Sequence, residues 1–202
     1  MATAGPHNRH NGGVIPGSVL TKGRLLVATP PLDDPNFDRT VVYVLEHHHE
    51  GAIGVVINRP TDESLEDPLD RWEDLQAPPG SVFLGGPVEP DALIALAHAK
   101  SPVTEMSDEL SPILGRVASA DLTTDPAIVA ALVKSVRIFR GYAGWGPGQL
   151  EGEIEAGAWL VLDAEPDDVF APAPDHLWRT ILRRQGGRLA WLADAPNDLS
   201  TN

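Results

Sequence analysis

The 202-residue chain contains no cysteine. That excludes disulfides, zinc–thiolate centres, iron–sulfur clusters and cysteine nucleophiles together. Basic residues are scarce too: 15 Lys and Arg against 29 Asp and Glu leave a formal charge of −14. Such a field repels phosphate backbones and anionic lipid, so sequence-independent nucleic-acid binding is disfavoured, although a small basic patch stays compatible with it. No run approaches the roughly 20 apolar residues of a bilayer span. The opening MATAGPHNRHNGGVIPGS has no apolar core of signal-peptide length. The expected compartment is therefore the cytoplasm, without membrane association. There is no G-x-S-x-G elbow and no Gly-Lys-Ser/Thr phosphate loop, and Thr40, Ser81 and Ser119 have no His–Asp pair at a telling spacing.

What is present reads as one globular domain. Hydrophobic residues make up 42% and charged residues 22%, both ordinary values. A chain of this length hides roughly 70% of the surface its unfolded form exposes. Residues 1–17 are polar and aperiodic and read as a disordered arm, 18–194 as the domain, and 195–202 as a flexible tail. Strand signals fall at Arg24–Thr29, Thr40–Leu45, Ala52–Asn58, Ser81–Leu84, Val136–Tyr142 and Ala158–Leu162. The polar HHHEG connection between the second and third is a hairpin turn. Asp67-Pro68 and Asp125-Pro126 each look like an N-cap followed by proline at the first helical position. The first would place Leu69, Trp72 and Leu75 on one face, the second Ile128, Leu132, Val133 and Val136. A third helix begins at Asp175, with Leu177, Trp178, Ile181 and Leu182 inward and Gly186 as its stop. A short helix is expected over Pro147–Ile154. Asp91–His98 suits either a helix or a buried strand. Clustered strands with interspersed helices predict an α+β fold.

Four segments in register carry a resemblance. They are GRLLVATP with DPNF; Glu46-His47 with GAIG and Asn58-Arg59-Pro60; FLGGPV; and RIFRGYAGW with Gly148-Gln149-Leu150. Together they are similar to the YqgE/AlgH family of bacterial proteins, over about Gly17 to Leu192. The resemblance implies a single compact α+β domain with a mixed, largely antiparallel sheet flanked by helices. It also tips residues 91–98 towards strand. Members are mostly uncharacterised, and some bear a transcriptional-regulator label. Thr40 stands where members often have serine.

The candidate binding residues follow from these motifs. Glu46-His-His-His-Glu50 has metal-ligand chemistry, but neighbouring strand side chains point to opposite faces. A metal would need a further ligand such as His98 or Asp38, so no metal site is assigned. His47, paired with Glu46, could line a pocket or tie the turn. Asn58 and Arg59 could meet an anion or serve the fold. Gly85-Gly86 could form an amide nest or merely a turn. Tyr142 and Trp145, among glycines, could line a ligand or partner surface or plug the core. Gln149 is a ligand contact or a cap. A DNA-recognition helix would have to use Arg179, Arg183, Arg184 and Arg188, and these read instead as a solvated helix face. With no catalytic constellation visible, the reading leans towards a non-enzymatic regulatory module, without cofactor, that binds a protein or small-molecule partner. The alternatives are a direct transcriptional regulator, and an enzyme built on Arg59, Glu46, His47 and the GGPV turn.

Overall fold

The computed structural model describes residues 21–29 and 36–194; the arm expected over 1–17 and the tail over 195–202 lie outside them. The chain opens with β1 (Arg24–Ala28), β2 (Val41–His48) and β3 (Gly51–Val56). A 3₁₀ helix (Asp70–Leu75) leads to β4 (Phe83–Leu84), β5 (Val88–Ala99), β6 (Leu110–Leu114) and β7 (Val117–Ala120). Then come α1 (Pro126–Leu132), β8 (Val133–Trp145), α2 (Gln149–Glu155) and β9 (Trp159–Asp163). A 3₁₀ turn (Pro174–His176), α3 (Leu177–Gln185) and α4 (Gly187–Leu192) follow.

Among the described residues the strands form one 9-stranded sheet in the order β6-β7-β5-β8-β3-β2-β1-β9, with β4 also on β8. Every pairing is antiparallel except β4–β8. The sheet is curled. A Cβ added to Gly23, just before β1, would lie 2.7 Å from the side chain of Leu114 on the distant strand β6.

Period-two alternation divides the apolar residues between two faces. Leu25, Val27, Tyr43, Val55, Leu96 and Phe139 fill the inner face, beneath Leu177, Trp178, Ile181 and Leu182 of α3. On the outer face, α2 places Leu150 against Leu26, Val42, Val44, Trp145 and Trp159. Farther along that face, Trp72 and Val129 of α1 cover Ala95, Ala97, Val136 and Ile138. Each large side chain buried in this way contributes about 1.5–3 kcal/mol of transfer free energy.

Residues 91–98 lie within β5, as the resemblance implied. Asp125 caps α1 by accepting from the Ala127 amide at 3.0 Å, with Pro126 in the first turn. The helix face differs from the expectation. Ile128 and Leu132 are exposed, while Pro126 and Val129 are buried, because the chain leaves the helix at Leu132 and Val133 already belongs to β8. Asp67-Pro68 does not start an α-helix. Its peptide bond is cis, and the helix that follows is 3₁₀, beginning at Asp70. Three residues per turn still bring Leu69, Trp72 and Leu75 to the same side. Gly186 ends α3 at φ 69°, and a further helix follows it directly.

Candidate functional site

The His run shows how β2 distributes its side chains. Glu46 pairs with Ile53 and Val44 with Gly54, so Leu45 is an extra residue, a β-bulge. The bulge reverses parity. Glu46 shares a face with Ile53, while His47, opposite Ala52, turns to the α2 side. There its Nδ1 lies 2.9 Å from Thr21 Oγ1, and its Nε2 lies 3.2 Å from Glu151 Oε1. This buried His ties the entry of β1 to α2. His98 is remote from the run, stacked on Phe170 at 4.9 Å. Among the described residues no group of three or more His, Asp or Glu could hold a metal ion.

The glycine motifs mark a crossing of two backbones. A Cβ at Gly85 would sit 2.3 Å from the Gly141 carbonyl oxygen, and one at Gly86 2.2 Å from the Tyr142 carbonyl carbon. Side chains are excluded there, so glycine is required for close approach. The Gly85 amide donates to Arg140 O and its carbonyl accepts from Val56 N–H, both at 2.8 Å. Gly141 has φ +67°. The ladder between β5 and β8 is irregular over Val88–Leu93, and beyond it Tyr142 packs towards the inner cluster while Ala143 and Trp145 pack outward.

Trp145 belongs to an aromatic group with Trp159 and Phe37, at ring separations of 6.0 and 6.4 Å. The indole N–H groups of Trp145 and Trp159 both donate to Glu153 Oε2, at 2.9 and 2.8 Å. Gln149 accepts from the Gly146 amide at 3.1 Å and donates to Glu153 Oε1 at 3.0 Å. Gln149 is therefore a local clasp at the start of α2. Glu153 was not legible as a site residue, because only the fold converges two indoles on it.

An open groove of about 340 Å³ lies at the β2–β3 hairpin end of the sheet. Ile53, Val88 and Tyr142 line it, joined by Trp145, whose indole packs on the opposite, α2 side, with Glu46, His48 and Glu50 at the rim. Ile53 is 40% exposed. Glu89, held at φ 45°, reaches Tyr142, whose Oη donates to Glu89 Oε1 at 3.2 Å. A non-glycine residue in that backbone region is uncommon, and such positions cluster at functional sites. Desolvation first, and then Glu89, push the Tyr142 phenol upward. Glu46 is bridged to Lys22 at 2.6 Å. Ile53 and Val88 carried no motif signal; only the pairing register shows that they join Tyr142.

The structure does not bring all the candidate residues together. Glu46, Tyr142 and Trp145 share the groove, whereas His47 faces the other side of the sheet. Arg59 lies past the far end of β3 and donates to the Asp38 carbonyl at 3.3 Å. Asn58 accepts from the Val41 amide and donates to Arg39 O, which serves the fold. The arrangement proposed for an enzyme, with Arg59, Glu46 and His47 in one cleft, is thus not formed. On α3, Arg183 pairs with Asp194 at 2.6 Å and Arg184 with Asp168 at 2.8 Å. Among the described residues no helix is long and apolar enough to cross a membrane.

Curled antiparallel sheet, α3 cap and glycine crossing define a single-domain α+β protein. Its residues 25–190 match the AlgH-like family model, DUF179. The UPF0301 protein of Streptomyces avermitilis is 48% identical over 94% of this chain and 99% of its own length. The UPF0301 protein of Streptomyces coelicolor is 49% identical with the same coverage. The chain belongs to the AlgH-like family. The crystal structure of DIP2367 from Corynebacterium diphtheriae matches with TM-score 0.79 and 28% identity, covering 89% of this chain and 94% of that one. The solution structure of AlgH from Pseudomonas aeruginosa matches with TM-score 0.64 and 30% identity, covering 92% of this chain and all of that one.

Proposed function

We propose that the protein is a non-enzymatic binding module that takes a segment of a partner protein into the groove beside Tyr142 and Trp145. The observation carrying this reading is the uncovered end of the inner sheet face, where Ile53 and Tyr142 stay accessible beyond α3. An apolar floor with acidic groups at its rim favours an apolar anchor residue next to Lys or Arg. The −14 charge adds long-range attraction for such a segment and repels nucleic acid.

Ile53→Asp tests the reading, because Ile53 is exposed enough to change without disturbing the core. Screened against an immobilised peptide library, the wild type should select aromatic or aliphatic residues flanked by Lys or Arg. Ile53→Asp should weaken the selected peptides at least tenfold while the far-ultraviolet spectrum stays that of the wild type; its melting temperature falls somewhat, because the new carboxylate would stand opposite Glu46. Equal binding by the variant, or no selection at all, would refute the assignment.

A further inference from the structure

The two edges of the sheet are built differently. At one end β6, LSPIL, carries Pro112, and its ladder with β7 slips between Pro112 and Leu114. Proline and a register break are devices that keep an edge strand from pairing further. At the other end β9 reads WLVLD, with neither proline nor lysine, and it pairs with β1 without a break from Trp159 to Asp163. Among the described residues β1 is the only strand that pairs with it. Hydrogen bonds fix which groups its other edge presents. The Thr29 amide donates to Ala158 O at 3.0 Å, while the Ala28 amide points the opposite way, to Thr40 O beside β2, also at 3.0 Å. Antiparallel parity then turns the backbone groups of Leu160 and Leu162 towards β1. It leaves the N–H and C=O of Trp159, Val161 and Asp163 facing outward.

That outward set is complementary to itself. In an antiparallel pair of two β9 strands centred on Val161, Val161 stands opposite Val161 of the second copy and Trp159 opposite its Asp163. These are all hydrogen-bonded pairs, so each outward N–H and C=O meets a partner. The same register sets Leu160 opposite Leu162 of the second copy. Both leucines are half-buried against the inner cluster, and an apolar cross-strand pair stabilises the ladder it joins. Asp163, the one acid on the strand, is bridged to Arg24 at 2.8 Å. A two-fold interface needs a patch that matches itself, and this edge does. We propose that the protein forms a two-fold dimer by pairing β9 with β9 of a second copy, which joins the two sheets into one. Five residues a side place the interface below the roughly 1,200 Å² where stable complexes begin, so the dimer dissociates reversibly. The −14 charge on each copy opposes it, so added salt tightens the pairing. This edge is separate from the groove beside Tyr142, and neither proposal depends on the other.

Sedimentation equilibrium of the full chain, from micromolar to millimolar concentration and at low and high salt, tests it. The expected result is a monomer–dimer equilibrium that salt strengthens. Val161→Lys and Val161→Glu each set like charges directly opposite one another across the axis. Each should weaken the dimer at least tenfold while the far-ultraviolet spectrum stays that of the wild type. Mixed in equal amounts, the two variants should recover the dimer, since Lys then faces Glu. Amide exchange in the wild type needs no variant: the Trp159, Val161 and Asp163 amides should exchange more slowly as concentration rises. Dimerisation untouched by either variant, or no recovery on mixing, overturns the register. A monomer at every concentration overturns the dimer. Slow exchange of those amides in that monomer would assign the edge to another segment of the same chain, and fast exchange would leave it to a strand of another protein.

Discussion

Replacing Arg137 by Met keeps much of the side-chain length and removes the charge. In the native chain the guanidinium makes charge-assisted hydrogen bonds to the carbonyls of Pro78, Val169 and Ala171, and it lies 4.2 Å from the Phe83 ring centroid. Hydrogen bonds to a charged group contribute about 1.5–3 kcal/mol each, and a desolvated cation–π contact about 2. Against this stands the desolvation of the guanidinium, several kcal/mol per buried ion. That same desolvation pushes its pKa down to about 10, so the group remains charged at neutral pH. The variant also leaves three carbonyls without this donor, at about 1–3 kcal/mol for each buried acceptor left unsatisfied, and set against the relieved desolvation the net loss is about 3–5 kcal/mol. For a chain of this size each kcal/mol is worth about 2–4 °C, so the melting temperature should fall by roughly 6–20 °C. Differential scanning calorimetry reads this directly. Hydrogen exchange should quicken first at residues 77–81 and 168–175. A loss under about 2 °C, with exchange there unchanged, would refute the assignment of Arg137 as the side chain that fastens these loops.

Gly141→Ala should destabilise by at least about 3 kcal/mol in urea unfolding, since positive φ adds strain of about 1–3 kcal/mol and the new Cβ would lie 2.4 Å from the Gly86 carbonyl oxygen. Near-wild-type stability would mean that the backbone crossing is not tight. His98 is held below its ordinary pKa by desolvation first and then Lys134, against the opposing pull of Asp167. A base lowered in the folded state binds its proton sooner when unfolded, so its contribution is full above about pH 6.5 and is lost as pH falls through the folded pKa. His98→Phe, which retains the stack on Phe170, should therefore flatten the decline in stability between pH 7 and 5, measured by melting across that range. An unchanged decline would assign the acid sensitivity elsewhere.

The strands were legible in the sequence wherever β-branched runs were long. β6 and β7 were not, because LSPIL and VASA are short and weakly patterned, and their pairing with each other and with β5 is what makes them strands. The Asp125 cap was readable, since its chemistry is local. The face of α1 was not, since it depends on where the chain leaves the helix for β8. The candidate site divides in the same way. Tyr142 and Trp145 stood out by composition, but which side each faces depends on Gly141 and the irregular β5–β8 ladder. His47 and Glu46 look like a pair, and one bulge sends them to opposite faces. Arg137 read only as part of a motif; nothing local announces that its partners lie in loops near residues 78 and 170.

β8 pairs with β5 and β4 along most of its length and with β3 at its final residues. It belongs to both halves of the sheet. No cut between β3 and β8 can release two self-sufficient pieces, because each fragment would carry unpaired strand edges. Ladders between segments so far apart in sequence are slow to form, because loop-closure entropy is lost before their contacts are made. A nascent chain that has made everything up to β7 still lacks the strand joining its two sheet halves, so until β8 emerges those edges are open to misassembly.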